Sequence, residues 1–364
     1  MMFPARIVSA FVRAPNRVSK GGRSLLRRAC FGLIAASALV LGCQGPPSRA
    51  TLQRFEFQQP HMGTLFRITV FAPNEARARE GSDAAFAKIA ALDRVMTDYD
   101  PESELMRLCQ RPAGEPVPVS GELFDVLQES QRIARLTEGA FDVTIGPVVR
   151  LWRRARRAGI LPVPEQLARA REGVGWRKLK LDPRTRTVTI TVPNMQLDLG
   201  GIAKGYAADQ ALGVLQQYGL SHALVAASGD IAVGDAPPGQ RGWRVEIGVV
   251  DHAVGQLPRI LLLKHAAVST SGDAEQFVEI GGQRYSHIVN PRTGIGLTER
   301  LQATVIGRRA TDTDAFATAV SVIGVERGLG LIKSQPNLEA VLTTSKGGKS
   351  EQYSTCELDL ISSR

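Results

Sequence analysis

The sequence predicts an α+β fold, mixed helices with largely antiparallel sheets, and three observations carry that reading. Helical spacing of apolar residues is concentrated before about residue 177 and returns only in two later stretches. Beyond that point the period changes to two, in short β-rich runs set off by Gly, Pro and Asp turn signals. Helices and hairpins do not alternate as regular βαβ units, so a doubly wound parallel sheet is not expected. With 364 residues, 43% hydrophobic and 22% charged, the composition is globular and has room for one large or two ordinary domains.

Each element has its own signal. Alternation in "FEFQQPHMGTLFRITVFA" predicts one bent strand or two strands around His61, Met62 and Gly63. A helix follows from about Ala76 to Met96, with Ala85, Ile89, Leu92 and Met96 on its inner side. A second starts near Ser120, where Ser-Gly-Glu-Leu offers a cap, and stops by Gly139. "GPVVRLWRRARRAG" reads as a helix with Pro147 in its first turn and a basic, solvated outer face. "TRTVTITVPNMQLDLGG" alternates over a strand hairpin, and "AKGYAADQALGVLQQYG" returns to helical spacing. "HALVAASGDIAVG", "WRVEIGVV", "RILLLKHAAVSTSG" and "QFVEI" are short strands, "RRATDTDAFATAVSVIG" a late helix, and "LEAVLTTSKGG" a strand before an edge-like tail. The sequence contains no internal repeat or low-complexity tract.

The amino terminus reads as an export signal, with an uncleaved anchor or a buried helix over residues 29–41 as the alternative. The formal charge of +10 suggests nucleic acid, but residues 1–42 hold seven of the 45 basic residues and no Asp or Glu. An apolar run, "ACFGLIAASALVLGC", follows Arg27 and Arg28; a basic segment, a short apolar segment and a small residue at the cut make a secretory signal peptide. Its end, "LVLGC", resembles a bacterial lipobox, which makes Cys43 the lipidated residue. Cleavage there leaves 38 basic against 35 acidic residues, a charge of +3, and the case for nucleic acid disappears. The body is expected outside the cytoplasm, because the basic flank stays inside. Of the four cysteines, Cys30 leaves with the signal and Cys43 takes lipid, so Cys109 and Cys356 remain to pair or stay free.

Four stretches could carry chemistry. "DLGGIAKGYAAD" places glycines where a strand ends and a helix begins, which suits an anion or equally a plain tight turn, and it is neither a Walker nor a dinucleotide-binding sequence. "YSHIVNPRTG" sets His287 in a loop as a general acid or base, or as an ordinary turn histidine. "VSTSGDAEQF" has no nucleophile elbow, and its small residues suit close backbone approach. In "RRATDTDAFATAVSVIG", Asp312, Asp314 and Thr318 are either capping chemistry, for which Thr and Asp are suited, or in part metal ligands; Asp314 and Thr318, four apart, share a face on which their oxygens can converge on a cation. No His-x-x-x-His or Cys-x-x-Cys spacing supports zinc.

In order along the chain, "MGTLFRITV", "DYDPESEL", "GAFDVTIGPVVRLW", "DLGGIAKGYAAD", "ASGDIAVGD", "VSTSGDAEQF", "YSHIVNPRTG" and "ATDTDAFATA" resemble the ApbE family of FAD:protein FMN transferases. The resemblance implies FAD bound with Mg²⁺ in a cleft between subregions, transfer of FMN to a Thr or Ser hydroxyl of an exported redox protein, and release of AMP. It implies an acceptor segment of the form Asp-x-x-Ser/Thr-Gly-Ala-Thr. FAD-contacting positions fall on Met62, Tyr99, Ala140, Phe141, Asp142, Asp198, Lys204 and Ile288; metal ligands fall on Gly201 (by its carbonyl), Asp314, Ala317 and Thr318. His287 is the proton-transfer residue by position, and Asp314 acts in catalysis through the metal, which leaves the cap of that helix to Thr311, Asp312 or Thr313. Asn290, where Asp is usual, and Ser228, where Gly is usual, depart from the family pattern. The expected organisation is a signal peptide at 1–42, a lipidated tether at 43–52, the flavin transferase domain at 53–350 and a tail at 351–364. The protein would then sit on the periplasmic side of a membrane in a bacterial envelope, held by its lipid. FAD pyrophosphatase and a non-catalytic flavin-binding lipoprotein are the alternatives.

Overall fold

The computed structural model describes residues 51–247, 259–272, 276–346, 349–355 and 361–362. The signal peptide, Cys43, most of the tether, Cys356 and Asp273–Glu275 of "VSTSGDAEQF" lie outside the described residues. In chain order come β1 (Gln53–His61), β2 (Thr64–Ala72), α1 (Glu75–Met96), α2 (Glu104–Cys109), β3 (Pro116–Pro118), α3 (Gly121–Leu136), α4 (Gly146–Ala158) and α5 (Pro164–Glu172). Then follow β4 (Leu179–Asp182), β5 (Thr187–Ile190), α6 (Ala203–Gln217), β6 (Ala223–Ala227), β7 (Asp230–Val233), β8 (Trp243–Ile247), β9 (Arg259–Leu263) and β10 (Ala266–Ser271). The chain continues through β11 (Phe277–Ile280), β12 (Gln283–Ser286), β13 (Leu301–Gly307), α7 (Ala310–Ile323), α8 (Val325–Lys333), β14 (Glu339–Lys346) and β15 (Lys349–Ser354).

Eight strands form one antiparallel sheet in the order β1-β2-β6-β7-β10-β13-β14-β15. Edge strand β1 alternates exposed and half-buried residues, whereas β7 is buried throughout, as its central place requires. Helices α1, α6 and α7 pack on one another and on this sheet, and they close the main core around Phe66, Ile68, Phe86, Ile89, Leu92, Leu215 and Phe316. On the other side Leu224, Ile231, Val233 and Val268 meet Trp243, Val245, Leu261 and Leu263 of the β8–β9 ribbon. A third cluster joins Val148, Trp152 and Ala155 of α4 to Tyr285 of β12 and Val289. The α+β class and the antiparallel pairing are as the sequence predicts.

Two boundaries differ from the sequence reading. The expected single hairpin from 185 to 201 is not formed: β5 pairs with the preceding β4 and with β3, and Pro193 and Asn194 (φ 60°) turn the chain away. Met195, Leu197 and Leu199 keep their alternation because they are buried in the core, and Asp198 N–H donates to the Val143 carbonyl instead of to a neighbouring strand. The β1–β2 connection is a tight two-residue turn in which Met62 (φ 50°) and Gly63 (φ 71°) are both left-handed, the requirement of a primed hairpin turn. Residues 351–354, read as tail, continue β15 and pair with β14.

The cap of α7 is the third correction. Its N-cap is Arg309, which makes no side-chain capping bond. The work is done from another helix: the Asp209 carboxylate on α6 accepts the N–H groups of Ala310 and Thr311 at 2.8 Å each and the Thr311 hydroxyl at 2.6 Å. Asp312 faces outward and pairs with Arg132. Two orphan donors of α7 are thereby satisfied by a residue a hundred positions away, and α6 and α7 are locked start to start.

Candidate functional site

The close meeting of α6 and α7 depends on Gly205. A Cβ there would stand 2.1 Å from the Ala310 carbonyl oxygen and 2.8 Å from Asp314 Cβ, so no other residue fits without parting the helices. At that contact the Gly205 N–H donates to Asp314 Oδ2 at 3.0 Å. Lys204 places its Nζ 2.5 Å from Asp230 Oδ2 and 3.6 Å from Asp314 Oδ2. Asp230 and Asp314 are 4% and 2% exposed. Burial, and then the neighbouring Asp230 charge, push the Asp314 carboxyl up to about 7, against the pull of Lys204 and the Gly205 N–H. Burial opposes the Lys204 charge, but Asp230 and Asp314 outweigh it and hold the ammonium protonated. With both carboxylates ionised, two negative charges face one positive, so a proton or a cation would balance the second carboxylate.

One turn further along α7 lies Thr318, whose side chain, like the Phe141 ring, lies against Gly201. A Cβ at Gly201 would be 3.1 Å from Thr318 Oγ1 and 3.3 Å from the Phe141 ring. The fold thus gathers Gly201, Lys204, Asp314, Thr318 and Phe141 at one place. The Ala317 carbonyl accepts the Ser321 hydroxyl at 2.9 Å within the helix.

A second cluster continues from the same turn. Asp198 accepts Gly200 N–H at 2.8 Å and receives Arg153 at 2.9 Å; Arg153 also pairs with Asp98. The Arg153 guanidinium lies over the Tyr99 ring, 4.7 Å from its centroid, and Tyr99 is 77% exposed, which leaves its other face open. Burial raises the Asp198 carboxyl, with Arg153 pulling the other way. Asp142 is buried and its oxygens are engaged: Oδ1 accepts the Thr144 N–H and hydroxyl at 2.9 and 2.7 Å, and Oδ2 accepts Trp176 N–H at 2.9 Å. It therefore shapes the loop that carries Ala140 and Phe141.

Met62 and His287 stand on other elements. Asp93 of α1 accepts Met62 N–H at 2.8 Å, beside a shallow cavity of about 320 Å³ lined by Pro60, His61, Met62, Gly63, Thr64 and Asp93. His287 follows β12; its backbone N–H donates to the Gln276 carbonyl at 3.0 Å and its Nδ1 lies 3.2 Å from the same oxygen. That contact selects the tautomer protonated on Nδ1, with Nε2 as the basic nitrogen. The loop is seated on α4, where Trp152 Nε1 donates to the Ser286 carbonyl at 3.0 Å, and Ile288 N–H donates to Ser286 Oγ at 3.1 Å. Adjacent residues of α4, Trp152 and Arg153, therefore hold the histidine loop and the Tyr99–Asp198 cluster.

Sequence reasoning missed Asp230, Arg153, Asp209 and Asp93 as site residues. Asp230 lies in a quoted motif, but no spacing in one chain says that it folds onto Lys204. Among the described residues there is no group of three or more His, Cys, Asp or Glu that could hold a metal. A cation here would rest on one or two carboxylates with hydroxyl and carbonyl oxygens, a set suited to Mg²⁺ with substrate phosphates.

The molecule is an antiparallel α+β sheet protein in which β7 and the first turns of α6 and α7 bring two carboxylates, a lysine and a glycine turn together. The ApbE family pattern matches residues 62–342, and the chain belongs to the ApbE family. The chain is 30% identical over 308 residues to the FAD:protein FMN transferase of Vibrio cholerae (classical Ogawa strain), with 83% of this chain and 90% of that protein covered. It is 27% identical to that of Escherichia coli K12, covering 86% and 92%. Among solved structures, flavin transferase ApbE from Vibrio cholerae superposes with a TM-score of 0.76 at 28% identity, over 84% of this chain and 97% of that one. The apo form of Pseudomonas stutzeri flavinyl transferase ApbE gives 0.74 at 26%, over 84% and 95%.

Proposed function

We propose that the chain transfers FMN from FAD to a Thr or Ser hydroxyl of an exported redox protein, with Mg²⁺ at the α6–α7 junction, and releases AMP. The observation that carries this is the buried, undercompensated Asp230–Lys204–Asp314 group beside Gly201 and Thr318. Names of the relatives support the flavin chemistry, and the donor set fits a hard cation.

Asp314, Thr318 and the Gly201 carbonyl would hold Mg²⁺, which when bound neutralises the FAD pyrophosphate and the charge that develops on the departing AMP. Lys204 adds a fixed positive charge at the same place. Tyr99, backed by Arg153, offers its open face to a planar ring, Met62 supplies apolar surface for the flavin, and buried Phe141 backs the Gly201 turn. His287 Nε2 takes the proton from the acceptor hydroxyl as that oxygen bonds to the flavin-side phosphorus and the bond to AMP breaks. No covalent protein intermediate is needed.

The test is incubation of the full chain with FAD, Mg²⁺ and an exported protein bearing an Asp-x-x-Thr-Gly-Ala-Thr-like segment. Expected are FMN bound to the acceptor through a phosphoester, seen by mass spectrometry, and one AMP per adduct. Free FMN and AMP with an unmodified acceptor would identify a pyrophosphatase, and no AMP at all a flavin-binding protein. The lipoprotein placement at Cys43 on the periplasmic side of a bacterial membrane is part of the proposal; globomycin-sensitive processing and a Cys43→Ala variant released from membranes would support it.

A further inference from the structure

The hairpin of α4 and α5 concentrates charge that the rest of the body lacks. Residues 146–173 contain seven arginines, two glutamates and no lysine or aspartate, a charge of +5. Residues 43–364 as a whole carry +3, so everything outside this hairpin is net negative. Arg154, Arg157, Arg169 and Arg171 are exposed and make no ion pair among the described residues. A shallow cavity of about 320 Å³ between the helices has an apolar floor of Pro147, Leu151 and Ala170 and a rim of Arg154, Gln166 and Arg169.

The turn joining the helices is apolar where solvent would favour polar residues. Ile160, Leu161 and Val163 are 68%, 40% and 50% exposed, three of the seven large exposed hydrophobics among the described residues. Pro162 and Pro164 stiffen this tip, and Gly159 (φ 68°) turns the chain into it. Helix α5 buries no residue fully, whereas α4 commits Val148, Trp152 and Ala155 to the core. The hairpin is thus held by its inner helix and presents its outer one.

We infer that this hairpin docks on an anionic phospholipid bilayer, with Ile160, Leu161 and Val163 entering the headgroup–acyl boundary and the four arginines meeting lipid phosphates. An exposed aliphatic tip on a hairpin whose two helices carry exposed arginines without ion pairs among the described residues is the pattern of interfacial membrane contact. Protein-binding hot spots instead favour aromatic anchors in desolvated pockets, which this tip lacks. The anchor expected at Cys43 points to the same occupant, and the following test does not depend on it.

The full-length Leu161→Trp protein is mixed with vesicles whose acyl chains are brominated, and the added tryptophan emission is measured relative to the unsubstituted chain. Vesicles containing phosphatidylglycerol should quench most of it; vesicles of phosphatidylcholine alone should not. Quenching should vanish in about 0.5 M salt, where screening shortens to a few ångströms. It should also vanish in a Leu161→Trp chain carrying Arg154→Gln, Arg157→Gln and Arg169→Gln. An Ile160→Ser, Val163→Ser pair in the same background should reduce it while FAD turnover without vesicles stays unchanged. These substitutions are at exposed positions, and circular dichroism and thermal melting check each fold. No quenching on anionic vesicles, or equal quenching on neutral ones, overturns the inference. So does an emission shift that requires an added acceptor protein, because the face would then bind protein.

Discussion

At the level of single residues, Asp314 is the side chain on which most depends. Its carboxyl sits up at about 7 in the folded chain because it is buried beside Asp230, against 3.8 for an ordinary Asp. The metal-free folded state therefore holds a proton that the unfolded chain gives up, so stability falls as pH rises from about 4 to about 7 and levels off above. Thermal melting across that range checks the slope, and Asp314→Asn, which keeps an acceptor for Gly205 N–H, should flatten it. The Mg²⁺ proposed at this junction would have the opposite dependence, because it would displace that proton; its affinity should rise through pH 7, as calorimetry with Mg²⁺ alone would record. Lys204→Met leaves two buried carboxylates facing each other without their cation. A loss of about 3 kcal/mol is expected in denaturant unfolding, smaller at pH 5 where Asp314 is protonated.

At the level of elements, the junction of α6 and α7 separates two meanings of an acidic cluster. Asp209→Ala removes three hydrogen bonds from the first turn of α7 and should cost about 1–2 kcal/mol; Asp312→Ala breaks only partly exposed pairs with Arg132 and Arg309 and should cost under about 1 kcal/mol. Chemical denaturation of both variants tests the contrast. Sequence reading assigned the cap to Thr311, Asp312 or Thr313 because local pattern is all that one chain displays. A cap delivered from another helix leaves no local pattern. Placing Asp314 and Thr318 one turn apart inside the helix, in contrast, followed from spacing alone, and the fold retains it. The hairpin predicted across Pro193 shows the same limit. Alternation reports which face is buried, not which strand supplies the hydrogen bonds.

At the level of the whole molecule, the α+β class was legible because period and turn signals accumulate over many residues. Partners were not: β7 carries Asp230 to Lys204 only because the eight-stranded sheet brings β7 beneath the start of α6. Arg153 was hidden for a related reason, since a basic helix face reads as solvated until one of its arginines is found clamped between Asp98 and Asp198. Arg153→Gln should loosen the backing of Tyr99 and weaken FAD binding by roughly tenfold, about 1.4 kcal/mol, with little change in turnover at saturation. Flavin fluorescence titration and a KM-against-kcat comparison check it.

The central claim is that the junction of α6 and α7 is where FMN leaves FAD for the acceptor. The most direct measurement is the rate of FMN attachment to an exported acceptor by the Asp314→Asn protein, at saturating Mg²⁺ and with folding verified by circular dichroism. The predicted result is a folded, FAD-binding protein whose transfer rate falls by at least about a hundredfold, as expected when electrostatic stabilisation at the reacting phosphates is lost. Transfer at the unsubstituted rate, with the same Mg²⁺ dependence, would contradict the account and move the chemistry elsewhere in the fold.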